Sequence, residues 1–206
     1  MGSATKITLV SSLIIILLIV VLSLNARNRK TKLMNEEMAP VKISEEESKI
    51  ALIETDRGEI KIRLAVKEAP KTTANFIKLA DKGFYDNLTF HRVDKGFVVQ
   101  GGDPLGTGMG GADKEINLEI MCKDGRTFEG RIAPRDCVPV LPHHKGAIAM
   151  ARADNPNSAS SQFYITLEKA HFLNRKYAVF GYVIEGQDIV DNIKVGDKMK
   201  SIEIEE

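Results

Sequence analysis

The stretch Phe90-His91-Arg92-Val93-Asp94-Lys95-Gly96-Phe97-Val98-Val99-Gln100-Gly101-Gly102-Asp103-Pro104 sets one arginine and one glutamine among large apolar side chains. At alternating strand positions Arg92 and Gln100 point into one apolar concavity. A guanidinium stays charged and holds its donors in a fixed plane, so it suits electrostatic stabilisation rather than proton transfer. A second stretch runs from Gly146-Ala147-Ile148-Ala149-Met150-Ala151 to Ser161-Gln162-Phe163-Tyr164-Ile165-Thr166, and Val179-Phe180-Gly181 follows. Hydrolytic chemistry finds no support: there is no Gly-x-Ser-x-Gly elbow and no His-Glu-x-x-His helix. Gly106-Thr107-Gly108-Met109-Gly110-Gly111 is glycine-rich, but no Lys-Ser/Thr follows it, so a tight turn is expected rather than a phosphate loop. Composition alone would make Arg92 an ordinary surface residue and Phe97, Tyr164 and Phe172 plain core. Phe163 is read as core, and His91 and His144 as structural.

These residues need strands to hold them. Residues 50–55 form a strand candidate, Asp56-Arg57-Gly58 a turn, and Ile60, Ile62, Leu64 and Val66 alternate with Glu59, Lys61, Arg63 and Ala65. That period of two predicts a hairpin with one buried face. Pro70 and the hydroxyl pair Thr72-Thr73 predict a helix start, with Ala74, Phe76, Ile77, Leu79 and Ala80 at helical spacing and Gly83 as terminator. Further short strands are expected at 88–93, 97–100, 146–151, 162–167 and 178–183, and a second helix at 187–194. Strands dominate, so a closed barrel or sandwich is the expectation.

The chain has 206 residues with a formal net charge of +1, 43% hydrophobic and 28% charged, which suits one packed domain plus an appendage. The charge balance argues against a nucleic-acid binder relying on a basic surface, a local patch staying open. Between Ile7 and Leu24 the run ITLVSSLIIILLIVVLSL carries no charge. Its 18 residues are near the lower limit for a membrane-spanning helix. They exceed a usual signal-peptide core, and Leu24-Asn25-Ala26 makes a poor cleavage site. We therefore read residues 1–26 as a transmembrane anchor or signal segment, a retained single-pass anchor being favoured. Residues 27–48, with Pro40 and Glu45-Glu46-Glu47, read as a polar tether, and residues 49–206 as the folded domain. Arg27, Arg29, Lys30 and Lys32 after the span against Lys6 before it favour a cytoplasmic domain by a small excess; a cleaved signal or an N-in anchor gives the opposite side, which stays open.

FHRVDKGFVVQGGD resembles the cyclophilin signature, and GAIAMAR, SQFYIT and VFG resemble its continuation in the same order, over roughly residues 50–193. The resemblance implies a mainly β fold: a closed eight-stranded antiparallel barrel capped by two helices, here with an apolar N-terminal helix added. It implies a peptidyl-prolyl cis/trans isomerase that needs neither metal nor cofactor. By motif position Arg92 matches the catalytic arginine. Phe97, Val98, Tyr164, Phe172 and Leu173 match the proline pocket. Gln100 and Gln162 match polar groove residues, and Ala151 and Arg152 the stretch whose backbone holds the peptide. Tyr177 stands where many members carry His.

The implied chemistry fits the residue types. Peptide nitrogen shares its lone pair with the carbonyl, giving a rotation barrier of about 18–20 kcal/mol. Halfway through rotation that lone pair localises on the prolyl nitrogen. A guanidinium donor is then worth more than in either planar state, which is differential binding of the transition state. The expected partners are proline-containing polypeptides, and the membrane through the apolar run; the domain is expected to be a monomer. A non-catalytic proline-binding or chaperone module is the alternative.

Several positions depart from the family pattern. Phe172 replaces a common Trp, which implies weak cyclosporin inhibition. Val98 replaces Met, and Arg152 replaces Asn and adds charge at the groove rim. The loop 154–160 is slightly long. Residues 121–143 form a longer insert holding Cys122, Cys137 and His143, with His144 just after it. A disulfide is expected if the domain is exported, free thiols if it is cytoplasmic; a metal-dependent regulatory role for these ligand types is the weakest reading.

Overall fold

The computed structural model describes residues 48–205, together with Val21, Ser23, Leu24, Asn25, Arg27 and Ile43. The chain divides into two units, Met1–Val41 and Lys42–Glu206. In the first, the described residues Val21, Ser23, Leu24, Asn25 and Arg27 are helical. Most of the expected apolar span from Ile7 and most of the tether lie outside the described residues. Among those described, no helix is long and apolar enough to cross a membrane.

The second unit opens with β1 (Lys49–Thr55) and β2 (Gly58–Leu64), paired antiparallel with Thr55 opposite Gly58. Thr55 closes the turn: its hydroxyl donates to Gly58 O and accepts from the Arg57 N–H. Helix α1 (Pro70–Ala80) follows. Its start differs from the expected hydroxyl cap. Pro70 takes the first turn, where a missing N–H costs nothing. The free N–H groups of Lys71 and Thr72 donate instead to the carboxylate of Glu119, which also receives the Thr72 hydroxyl. Glu119 lies 47 residues away along the chain from Thr72, beyond the reach of a local capping rule.

The remaining strands are β3 (Arg92–Asp94), β4 (Val98–Gly101), β5 (Glu119–Met121), β6 (Thr127–Glu129), β7 (Ala147–Met150), β8 (Phe163–Thr166), β9 (Val179–Glu185) and β10 (Met199–Glu205). Helix α2 (Gln187–Asp191) joins the last two and is shorter than its apolar spacing suggested. Eight strands form one antiparallel sheet in the order β10-β1-β2-β9-β7-β8-β4-β3, and β5 and β6 form a separate hairpin. The sheet curls, but its strand ladder does not close, contrary to the expected closed barrel. β3 is only three residues long, and the chain before it does not pair along β10. The edges meet at the single bridge Thr89↔Lys198, with Phe90 N–H on Asp197 O and Met199 N–H on Leu88 O.

The concave side of the sheet is the core. Ile53, Ile60, Ile62, Leu64, Ile148, Ile165, Phe163 and Phe180 are fully buried there. Phe76 of α1 meets Tyr85, Phe163 and Phe180 with ring centroids 5.1–5.6 Å apart. Phe163 is thus core, as its pattern suggested. The insert was not legible as structure: Ile120 of β5, its neighbours Leu118 and Cys122, and Ala133 and Cys137 beyond β6 form a second small core with Ala178. Cys122 and Cys137 form a disulfide. Neither sulfur is then available as a thiolate ligand, which counts against the metal-dependent reading of the insert.

Candidate functional site

Strand register sets one row of side chains across the outer face. Arg92 of β3 is opposite Gln100 of β4, Gln100 opposite Tyr164 of β8, and Tyr164 opposite Ala149 of β7. Antiparallel partners share a face, so Arg92, Gln100 and Tyr164 are brought together although 72 residues of chain separate the first from the last.

The polar half of the row is a chain of hydrogen bonds. Arg92 Nη1 donates to Gln100 Oε1 at 3.1 Å, and Gln100 Nε2 donates to Gln162 Oε1 at 2.9 Å. Gln162 Nε2 donates to Gly108 O and Gly110 O at 3.0 and 2.7 Å. The glycine-rich segment is therefore a rigid acceptor for Gln162 rather than only a turn. Asp103 makes it rigid by accepting the N–H groups of Leu105, Thr107 and Gly108. Burial pushes the Asp103 carboxyl up, but these N–H groups, with that of Gly110, outweigh it and hold it below the ordinary range. Arg92 is exposed, and its Nη2 also donates to Asp94 at 3.1 Å. A pair this open to water contributes little energy.

The apolar half lies beside it. The Phe97 and Phe172 rings stack with centroids 5.6 Å apart, and the Arg92 guanidinium carbon lies 5.8 Å from the Phe97 ring. Val98 is buried, Leu173 half-buried, and Phe172 is 64% exposed. An aromatic this exposed next to a fixed cation marks a binding surface rather than core. Phe172 and Leu173 sit on a 3-10 turn, His171–Leu173. Tyr164 is buried, and its ring meets the Tyr177 ring edge to face, with centroids 6.0 Å apart.

Arg152, expected to add charge at the groove rim, is held in place by main-chain carbonyls and a ring. Its guanidinium donates to Lys176 O, Ala153 O and Asp154 O, and its Cζ lies 4.6 Å from the Tyr177 ring. The two departures, Arg152 and Tyr177, thus pack on each other. Ala151, half-buried, donates its N–H to Gln162 O. Beside this row lies a cavity of about 630 Å³ whose walls include Gln100, Gly111, Ala112, Ala151, Arg152 and Gln162.

Sequence reasoning missed what stands behind Tyr164. Its hydroxyl lies 2.9 Å from Nε2 of His143, which is fully buried. Burial holds the His143 imidazole down to about 4. His91, beside Arg92, is also held low by burial, and its ring nitrogens have no hydrogen-bond partner among the described residues. It packs near Gly108 and fits its structural reading. His144 lies 3.3 Å from a ring nitrogen of His171, away from Arg92 in the hydrogen-bond network. Among the described residues no group of three or more His, Cys, Asp or Glu is placed to hold a metal ion.

Residues 50–206 match the family described as cyclophilin type peptidyl-prolyl cis-trans isomerase/CLD. The chain belongs to the cyclophilin family. By family it is an isomerase of the peptidyl-prolyl cis-trans class. It is 42% identical to peptidyl-prolyl cis-trans isomerase B of Bacillus subtilis over 150 residues, covering 73% of this chain and 93% of that one. It is 36% identical to a peptidyl-prolyl cis-trans isomerase of Helicobacter pylori over 173 residues, 80% of this chain and 96% of the other. A similar solved structure is a cyclophilin type isomerase of Cryptosporidium parvum determined in the presence of the dipeptide ala-pro. It is 34% identical with a TM-score of 0.60, covering 76% of this chain and 99% of that one. Other relatives are much longer: the matches span 26% of the length of isomerases from Arabidopsis thaliana and Schizosaccharomyces pombe.

Proposed function

We propose that this cyclophilin domain accelerates rotation about Xaa-Pro bonds in folding polypeptides, with Arg92 stabilising the twisted amide. One observation carries the reading. A guanidinium lies in register with Gln100 and Tyr164 and beside the stacked rings of Phe97 and Phe172. Phe97, Val98, Tyr164, Phe172 and Leu173 grip the prolyl ring, while the preceding carbonyl swings past Gln100. At mid-rotation the prolyl nitrogen regains its lone pair, and Arg92 donates to it. Gln100 and Gln162 pre-orient the guanidinium, so the donor is in place before the charge develops. Ala151 and Arg152 line the adjacent cavity, which takes the residues before proline. The ala-pro dipeptide named with the Cryptosporidium parvum relative supports proline as the ligand. With Phe172 in place of an indole, cyclosporin is expected to inhibit weakly.

The whole chain, in this reading, is a monomer held at a membrane by its uncharged run from Ile7 to Leu24. The Cys122–Cys137 disulfide favours the oxidising side of that membrane, because such bonds rarely persist among cytosolic thiols. The test is the isomerisation rate of a proline tetrapeptide with the purified protein. Unaided, the reaction takes tens to hundreds of seconds, and clear acceleration is expected. Peptide binding with no acceleration would leave a non-catalytic proline-binding module instead.

A further inference from the structure

His143 is 0% exposed and joins three segments. Its main-chain N–H and its Nδ1 face Asn174 Oδ1 at 2.9 and 3.0 Å, and its carbonyl accepts the Ala170 N–H at 2.9 Å. Its Nε2 faces the Tyr164 hydroxyl at 2.9 Å. An amide oxygen only accepts, so Nδ1 carries the proton. Nε2 is then a bare lone pair, and the Tyr164 O–H donates to it. The two rings are nearly parallel, at 17° with centroids 6.0 Å apart.

This geometry ties one wall of the site to another. Tyr164 stands on β8. Asn174 directly follows the turn that bears Phe172 and Leu173, and Tyr177 lies three residues on. No other side chain among the described residues hydrogen-bonds to both Tyr164 and Asn174. We propose that His143 is a positioning residue: through the Tyr164 hydroxyl and Asn174 it fixes the separation of the two pocket walls, and so sets how strictly the pocket demands a five-membered ring. The inference rests on reading these walls as the proline pocket. A wall locked by a buried hydrogen bond cannot swing to admit a larger ring, and one that has lost the bond can. Burial also keeps the imidazole neutral at neutral pH, and His171 and His144 lower its proton affinity further, so Nε2 stays an acceptor.

The test compares prolyl with pipecolyl tetrapeptides, whose rings differ by one methylene, in the purified protein. One methylene in a fitted apolar pocket is worth about 10–200-fold in kcat/KM. Tyr164→Phe keeps the ring and removes the bond. It is expected to raise KM for the prolyl peptide about fivefold with kcat within about twofold, and to reduce the prolyl-over-pipecolyl preference to a few-fold. His143→Leu should do the same. His143→Gln, which can both donate to Asn174 and accept from Tyr164, should restore the preference. Adding His143→Leu to Tyr164→Phe should lower the preference no further, because both remove one link. Folding of every variant is checked by thermal melting. An unchanged preference in a folded Tyr164→Phe protein, beside an Arg92→Ala protein that has lost activity, overturns the inference and leaves the pocket reading standing. If both variants are as active as the parent, the pocket reading falls and takes the inference with it.

Discussion

On one side of the groove, Arg92, Gln100 and Gln162 pass hydrogen bonds along the open face of the sheet, half-buried or exposed. On the other, Tyr164, His143 and Asn174 do so below the surface, where the imidazole meets no water. In the proposed mechanism the first side acts on charge that appears only in the twisted amide, so its donor must face the substrate and tolerate solvent. In the same proposal the second only grips an apolar ring, so its polar contacts can be buried, where each lost partner costs the most. Removing a group from the open side should therefore cost rate with little stability. Removing one from the buried side should cost stability and binding.

The largest effect is expected from Arg92→Ala. Loss of one pre-oriented donor costs about 10²–10³ in kcat/KM, while the melting temperature stays close to that of the parent, because the pairs Arg92 makes are exposed. Next is the brace behind the buried side. The insert touches the chain two residues beyond the His171–Leu173 turn, where Ala133 N–H donates to Arg175 O and Arg175 Nη1 donates to Pro134 O. Its disulfide closes a loop of sequence separation 15. Replacing Cys122 and Cys137 with Ala should lower unfolding free energy by about 3 kcal/mol in denaturant titration, with a higher KM and a nearly unchanged kcat.

A comparable stability effect should follow pH. The folded imidazole of His143 sits at about 4 against an ordinary value of 6.5, because burial penalises its charged form. Between those values the unfolded chain binds the extra proton, so stability is full above pH 6.5 and falls as pH drops toward 4. The loss is about 3 kcal/mol, and unfolding titrations across that window should show it shrinking in His143→Leu. The smallest effect belongs to Asp94→Asn, whose exposed pairing with Arg92 should be worth no more than about twofold in kcat/KM. A large loss there would mean that the open side depends on ion pairing as well as on the Gln100 chain.

The open side was legible in the sequence because its residues sit on short strands with a period of two and in one ordered motif. Arg92 and Gln100 could be placed on one face before any coordinates. The buried side was half legible. Tyr164 could be assigned to the pocket, but its partner His143 lies 21 residues earlier, in an insert whose hairpin shows no clear alternation. The helix starts at Pro70 as its sequence suggests, but its cap is non-local: Thr72 looked like a local cap, and Glu119, just before that insert, supplies the capping oxygens. Sheet closure also depended on a non-local detail, the single bridge Thr89↔Lys198 where a full ladder was expected. Arg152 and Tyr177 each looked like an isolated departure, and only their stacking shows that they form a pair.

The central claim is that Arg92 is worth more to the twisted amide than to either planar one. The measurement is the affinity of a proline peptide, by titration, beside its isomerisation rate at saturation, for the parent, Arg92→Lys and Arg92→Ala. The account predicts affinities within about threefold and saturated rates lower by about 10²-fold or more in Arg92→Ala, with Arg92→Lys recovering only a small part because its point charge lacks the planar donors. Affinity and rate falling together, or a saturated rate that survives Arg92→Ala, would contradict it.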